Sequence, residues 1–448
     1  MATENPRMIV LDMLLETERE GEFSHRLLND VLQKFAYLPR EDRSFIKCLY
    51  EGVLERRLEL DYRIDSCSKT PVRKMKPVIR NSMRMGVYQI FYMDKVPVSA
   101  ACDETVKLVK WRGLSALSGF VNATMRSIAG KELVLPADPT ASMSIRFSMP
   151  EELVELLVGD LGKENAEKLM EASLKPQSFT VRAREIFSEE RINRWLQDLK
   201  MAGVKAIPHP YYAGAFVLSH TEGAQKLPGF AEGIFYPQDI SSMMVGLLAG
   251  IEPGMQVMDL CAAPGGKTMH AADLLKGSGC VRASDVSEYK VQLIEENVKR
   301  LHLTNVQTEV GDATVPDESR TESADVVLVD APCSGLGVLG RKPEIKYRMN
   351  SGQIEELAAL QQKILTNAAR YVKPGGVLVY STCTVTAKED EENVKWFLEH
   401  FDFRPESVEE RLPQELRGST GKDGYYKFLP GVQNSDGFFI AKFRKNEN

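Results

Sequence analysis

Through the first 135 residues, apolar side chains recur at intervals of three and four, the spacing of a helix with one buried face. Met8-Ile-Val-Leu-Asp-Met-Leu-Leu predicts a first helix. Asp42 to Ile64 predicts a long second one through Phe45, Ile46, Leu49, Tyr50, Val53, Leu54, Leu58 and Leu60. Pro77 to Met93 follows, with proline in a favourable first-turn position. Ser99 to Trp111 comes next, with Ser99 as N-cap and Asp103 and Glu104 near its start. Leu117 to Ile128 completes the set. No stretch alternates as a half-buried strand would, so a helical domain is expected over 1–135. Gly130 to Thr140, with Pro136 and Pro139, reads as a linker.

From 145 to 245 the pattern is mixed. Pro150–Gly159 and Asn165–Ala172 have helical spacing. Gln177–Ala183 and Ala215–Ser219 read as strands, with an amphipathic helix, Glu189–Met201, between them. A small α/β module is expected here. From 246 to 448 short apolar runs alternate with helical stretches. The runs are Val257–Leu260, Val281–Asp285, Val306–Val310, Asp325–Asp330 and Gly376–Ser381; the helices are Glu288–Leu301, Gln353–Tyr371 and Glu389–His400. Buried runs separated by helices imply a mostly parallel, doubly wound sheet.

Composition narrows the class. At 43% hydrophobic and 27% charged, the 448-residue chain is neither disordered, collagenous nor a coiled coil. No apolar run approaches the ~18 residues of a membrane span. Met1-Ala-Thr-Glu-Asn-Pro-Arg lacks the layout of a signal peptide, so a cytoplasmic protein with no membrane partner is expected. Seven cysteines without a Cys-x-x-Cys pair suggest neither a disulfide framework nor a metal site. The net charge of −6 is uneven: the first 140 residues carry 22 basic and 19 acidic side chains, a net +3, and the remainder −9. Lys69, Arg73, Lys74, Lys76, Arg80 and Arg84 follow one another with no acid between them. Such a run is either a solvated helix face or the footprint of a nucleic-acid backbone.

Three motifs carry chemistry. The first, Asp259-Leu-Cys-Ala-Ala-Pro-Gly-Gly-Lys-Thr, runs from a strand end through a small-residue turn into a helix. Lys267-Thr268 suggests a phosphate-binding P-loop, but Cys261 stands where that motif requires its first glycine. The turn instead lets backbone approach a small ligand at the carboxyl edge of the sheet. Asp285, twenty residues after Gly265, ends the next strand, where an acid accepts ribose hydroxyls; Asp312 ends the third and could face an adenine edge. The second and third motifs are Asp330-Ala-Pro-Cys333-Ser-Gly and Tyr380-Ser-Thr-Cys383-Thr. Both lie at strand ends of one edge, so both thiols are expected beside the crevice. Cys48, Cys67, Cys102 and Cys280 read as ordinary small core residues.

Together these motifs resemble the bacterial Sun/RsmB-type branch of the RNA cytosine-C5 methyltransferases. The resemblance rests on Cys261–Lys267, Asp285, Asp312, Asp330–Cys333 and Ser381–Cys383, flanked by Gln238-Asp-Ile-Ser-Ser and Ser435-Asp-Gly-Phe-Phe-Ile-Ala-Lys. Val96-Pro-Val-Ser-Ala-Ala and Gly119-Phe-Val-Asn-Ala-Thr-Met-Arg look like the NusB-type helical domain of that branch. Ala183 stands where the family often has Asn, so Phe179–Ala183 receives no contact role.

The resemblance implies an all-α NusB-like domain, a small α/β module and a Rossmann-like class I methyltransferase domain. It implies S-adenosylmethionine as cofactor, bound by Cys261, Ala262, Ala263, Pro264, Gly265, Gly266, Lys267, Asp285, Asp312 and Asp330. The implied substrate is 16S rRNA, the family's usual site being cytosine 967. Cys383 would be the nucleophile, Asp330 the base-binding acid and Cys333 the helper in product release. Separately from the resemblance, a monomer is expected. Two rivals stand beside this reading: a tRNA cytosine-C5 methyltransferase and a non-catalytic RNA-binding scaffold. A scaffold needs neither the thiol pair nor the glycine turn.

Overall fold

A computed structural model of the chain describes residues 5–20, 24–221 and 223–447. The first four residues, part of the stretch expected to lack a signal peptide, lie outside the described residues. The chain divides into two compact units, residues 1–175 with 339–348, and residues 176–338 with 349–448.

In the first unit the described residues form helices α1 (Pro6–Glu20), α2 (Ser24–Lys34), α3 (Arg40–Glu55), α4 (Arg57–Asp65), α5 (Pro77–Tyr92), α6 (Val98–Trp111) and α7 (Ser118–Ala129). They are followed by α8 (Pro139–Phe147), α9 (Glu151–Leu161) and α10 (Lys163–Ala172). The expected helix over 42–64 is two helices, because Arg56 leaves helical geometry at φ −107°, ψ 20°. The apolar period continues across the break through Leu60 and Ile64, so spacing alone does not reveal it. Ser99 is not an N-cap. Pro97 holds the extended conformation before α6 and Val98 starts the helix, which leaves Asp103 and Glu104 in the second turn. The expected linker ends at Asp138, whose carboxylate accepts the Ala141 N–H at 2.8 Å and starts α8. One core joins the inward faces of the first seven helices, including Val10, Leu14, Leu49, Val53, Leu60, Met83, Val109 and Val121. The segment 339–348 belongs to this unit: Lys346 is buried and its Nζ donates to the Glu55 carbonyl at 2.7 Å.

The second unit opens with strand β1 (Phe179–Ala183), helix α11 (Glu189–Met201) and strands β2 (Lys205–His209), β3 (Tyr212–Ser219) and β4 (Phe235–Pro237). These strands form an antiparallel sheet in the order β2-β3-β1-β4, with Trp195 and Leu199 of α11 in its core. A larger sheet follows. Its elements are α12 (Ile240–Ala249), β5 (Gln256–Asp259), α13 (Gly266–Leu274), β6 (Cys280–Asp285), α14 (Glu288–Arg300), β7 (Val306–Val310) and β8 (Ala324–Asp330). After these come α15 (Ser351–Tyr371), β9 (Val372–Thr382), α16 (Glu391–His400), β10 (Phe403–Pro405), β11 (Tyr425–Phe428) and β12 (Phe438–Lys445).

The sheet order is β10-β12-β9-β8-β5-β6-β7, with β11 paired to β12. Strands β5 to β9 pair parallel, and the C-terminal strands add an antiparallel edge. Alternate residues face opposite cores. Val257, Val281, Val326, Leu328 and Val379 pack with α12 and α13; Met258, Val327, Val329, Leu378 and Tyr380 pack with α15 and α16.

The expected segments 1–135, 145–245 and 246–448 differ from this division. Helices α8 to α10 go with the helical unit, and the small sheet goes with the larger one. Arg182 and Arg184 explain the second part: both are buried and share the buried Asp273 carboxylate of α13, at 2.9 and 2.8 Å. Such a pair is costly to desolvate and costlier to break. Among the described residues no helix is long and apolar enough to cross a membrane.

Candidate active site

Reversal of strand order places a crevice between β5 and its neighbour β8. From Asp259 the chain turns through Leu260–Gly265 into α13. Gly265 has φ +108°, a conformation that residues with a Cβ rarely adopt, and a Cβ there would lie 3.0 Å from Met269 Cε. Asp285 holds the turn from the adjacent strand. Its Oδ2 accepts the Ala263 N–H at 2.9 Å, and its Oδ1 accepts the Val286 N–H at 2.8 Å and pairs with Lys290 at 2.9 Å.

Asp259 heads the same motif, yet spacing assigns it no role. Its Oδ2 accepts the Thr268 hydroxyl at 2.6 Å, while its buried Oδ1 has no hydrogen-bond partner among the described residues. Burial pushes this carboxyl up to about 7, despite the Thr268 hydrogen bond.

A cavity of about 190 Å³ opens on the turn and is lined by Cys261, Ala262, Ala263, Pro264, Gly266, Lys267 and Asp330. Tyr236, Gln238, Asp239 and Ser242 also line it. The Gln238–Ser242 segment was legible only as a flanking match. Burial, with the Asp259, Asp285 and Asp330 carboxylates, pushes the Cys261 thiol far up, so Cys261 lines the cavity as a neutral group. Asp312 is not among the lining residues. It is exposed and caps its own turn, accepting the Thr314 hydroxyl at 2.7 Å and N–H at 2.8 Å, which hold its carboxyl below the usual range.

Lys267 reaches from α13 to Asp330, with Nζ 2.7 Å from Oδ2, and Ser381 donates its hydroxyl to Oδ1 at 2.9 Å. Ser381 is the register partner of Asp330 across β8 and β9, so the pairing of the two strands sets this contact. Just beyond those strand ends, Cys333 and Cys383 meet with their Sγ atoms 3.1 Å apart, both as free thiols. The Cys383 N–H also donates to Cys333 Sγ at 3.2 Å. The hydrogen bond with Cys383, then burial, raises Cys333 well above an ordinary thiol. Two thiols this close do not both ionise readily, and its raised pKa keeps Cys333 neutral. Of the four cysteines expected in the core, Cys102 is buried, Cys67 and Cys280 are half-buried, and Cys48 is exposed on α3.

Glu389, buried and unremarked in the sequence, fixes both cysteine loops. It accepts the Ser334 N–H at 2.8 Å, the Ser334 hydroxyl at 2.5 Å, Thr386 at 2.9 Å and Gln361 at 3.0 Å. Ser334 Oγ and Thr384 Oγ1 lie 2.7 Å apart, so the residue after each cysteine is tied to the other. The acidic run Lys388-Glu-Asp-Glu-Glu gives no sign of which carboxylate turns inward. No cluster of three metal-ligating side chains occurs among the described residues.

A mostly parallel sheet with a glycine turn at its switch point and an acid and thiol pair on neighbouring strand ends defines a Rossmann-like methyltransferase. Residues 247–444 match the family described as 16S rRNA methyltransferase RsmB/F, and residues 4–130 match the NusB family. "Probable ribosomal RNA small subunit methyltransferase B" of Bacillus subtilis (strain 168) is 36% identical, over 98% of this chain and 98% of its own. The chain belongs to the RsmB/F family of 16S rRNA methyltransferases and carries a NusB-family helical domain.

Among solved structures, PH0851 has a TM-score of 0.81 at 24% identity and 99% coverage of each chain. NSun6 from Pyrococcus horikoshii with SFG has a TM-score of 0.58 at 25% identity, covering 67% of this chain and 99% of that one.

The methyl donor of the family is S-adenosylmethionine. The turn suits such a group: backbone stripped of side-chain bulk at Gly265 and Gly266, and an unpartnered buried carboxyl oxygen, Asp259 Oδ1, for a polar group on the ligand.

Proposed function

We propose that this protein methylates C5 of a cytosine in 16S rRNA, at the family's usual position 967, through a covalent bond between Cys383 and cytosine C6. The observation that carries the reading is the thiol pair, 3.1 Å apart at strand ends beside Asp330. Cytosine C5 is a weak nucleophile, and addition of a thiolate at C6 makes it reactive. S-adenosylmethionine supplies the electrophilic methyl group. Cys261 to Lys267 would hold it and Asp285 would take the ribose hydroxyls, while Asp312, outside the cavity lining, would have to turn from its Thr314 contacts to meet the adenine edge.

This chain's residues divide the remaining work. Cys383 attacks C6 as the thiolate, its proton having passed to solvent water. Asp330 receives the base at N3 and N4, and the Lys267 ammonium beside it offsets the negative charge that develops on addition. Lys267 and Ser381 hold the two Asp330 oxygens in place, which gives Lys267 a positioning role. After methyl transfer a water molecule takes the C5 proton, the electrons of that C–H bond re-form the C5–C6 double bond, and Cys383 Sγ leaves as a thiolate that the neutral Cys333 thiol, 3.1 Å away, can stabilise by donating a hydrogen bond. Cys333, held as a neutral thiol against Cys383, serves that elimination. The helical unit adds affinity for the RNA.

Radiolabelled cofactor, 16S rRNA and a denaturing gel test the assignment. Cys383→Ala should give neither adduct nor product. Cys333→Ala should accumulate protein bound covalently to methylated RNA. The reverse pattern exchanges the roles, and full activity in both variants refutes covalent catalysis. Bisulfite mapping of the product identifies the cytosine.

A further inference from the structure

The acid-free basic run does not behave as one surface. Arg80 and Arg84 are committed inside the helical unit: Arg80 pairs with Glu18 at 2.6 Å, and Arg84 pairs with Asp61 at 2.6 Å and Glu18 at 2.8 Å. Both nevertheless line an open cavity of about 440 Å³ that also holds Arg57, Arg73 and Arg348. Five guanidinium groups and two carboxylates, Glu18 and Asp61, line it.

Two of these arginines are unusual. Arg57 lies stacked on Tyr347, its guanidinium carbon 3.6 Å from the ring centroid, and has no ion-pair partner among the described residues. Burial lowers its pKa and outweighs Tyr347 and the Asp61 and Glu18 carboxylates, which raise it, while Arg84 lowers it further. Arg73 is exposed and likewise has no ion-pair partner among the described residues. A partly desolvated guanidinium kept without a carboxylate is a group waiting for an anion. Planar guanidinium groups converging on one space match phosphate oxygens, which they bind in a bidentate manner.

We propose that this cavity binds a phosphodiester of the RNA substrate, with Arg57 and Arg73 as its direct ligands and Arg348 beside them. The assignment rests on the RNA-methylating reading above. Glu18 and Asp61 act as the scaffold, fixing Arg80 and Arg84 as the cavity wall. The exposed Lys69, Lys74 and Lys76 flank Arg73 in the chain, so positive charge continues away from the cavity, as suits a polymer rather than a single small anion. Arg348 comes from the segment 339–348, far from the others in sequence, so a run of basic residues along the chain cannot reveal the cavity.

The test uses the full chain and filter binding across a salt series. The probes are a 16S rRNA transcript and a single-stranded oligouridine, each with and without a 5′-phosphate. The Arg57→Gln/Arg73→Gln variant should bind both RNAs about five- to tenfold more weakly at moderate salt. It should also lower the slope of log affinity against log salt by about 1, as expected when one or two phosphates are no longer neutralised. Lys168→Gln, at an ordinary surface ion pair on α10, should change neither quantity. Arg73→Gln alone, at an exposed position, keeps the test valid if replacing Arg57 disturbs folding. Unchanged affinity and slope in a folded variant overturn the proposal, and dependence on the 5′-phosphate overturns its assignment to an internal phosphodiester. If the wild type fails to methylate 16S rRNA, the functional reading falls, and the oligouridine series still decides the cavity: equal binding refutes it, weakened binding supports it.

Discussion

At the scale of single residues, the site pairs groups whose surroundings push them to opposite tasks. Cys333 is kept neutral by its neighbour, whereas Asp330 is fixed through both oxygens by Lys267 and Ser381. Asp259 yields a pH prediction. Its carboxyl is raised to about 7 in the fold, against about 3.9 in an unfolded chain, so between those values the folded state holds more protons. Stability from this group is therefore fully present below about 3.9 and lost as pH rises to about 7, with a slope of up to about 1.4 kcal/mol per pH unit. Urea unfolding across that range should show the wild type losing stability relative to Asp259→Asn, which has no proton to lose. Parallel pH profiles would refute the buried, protonated state. The sequence named Cys333, Cys383, Asp330 and Asp285 because each closes a strand at the ligand edge. It assigned no role to Asp259 or Glu389, because a buried carboxylate is distinguished by what packs over it, and residues distant in the chain supply that packing.

At the scale of elements, the strand-turn-helix unit and the two cysteine loops work as rigid pieces. Gly265→Val places a β-branched residue at φ +108°, which costs about 1–3 kcal/mol of backbone strain. Calorimetric titration with S-adenosylmethionine should show at least a tenfold loss of affinity in a protein that still unfolds cooperatively. Glu389→Ala strips acceptors from the Ser334 N–H and Gln361. Unsatisfied buried groups cost about 1–3 kcal/mol each, so thermal unfolding should move down by several degrees. With the loops loosened, kcat should fall more than KM for RNA changes, and Glu389→Gln should restore part of both. Equal kcat in the folded Ala variant would show that the loops hold themselves. Period-two and period-three-to-four spacing made most of these elements readable, including α11, which matches its expected span of Glu189–Met201. The break at Arg56 and the short strands β2 and β4 were not readable, since an unbroken apolar period hides a kink and three to five residues carry little pattern.

At the scale of the whole molecule, the boundary between the units does not follow the boundary between motifs. Residues 339–348 leave the sheet-bearing unit just after the Cys333 loop, count with the helices, and return before α15. Leu339, Pro343, Glu344 and Lys346 are buried there. A fragment of residues 1–175 should therefore unfold at a lower temperature than the helical unit does in the full chain. A synthetic peptide of residues 339–348 should raise its midpoint in a concentration-dependent way. No effect of the peptide would mean that the helices are complete without it.

That excursion also orders events during synthesis. The helical unit begins to emerge from the ribosome first, yet its last contributing residue is Arg348, well over a hundred residues after Lys175. At about 5–20 residues per second, the gap lasts on the order of ten to thirty seconds. Through that interval the surface that receives Lys346 stays bare, and by the time it closes the glycine turn and the Cys333 loop have already been made. The nascent helical unit thus reaches its finished form only after much of the catalytic part exists.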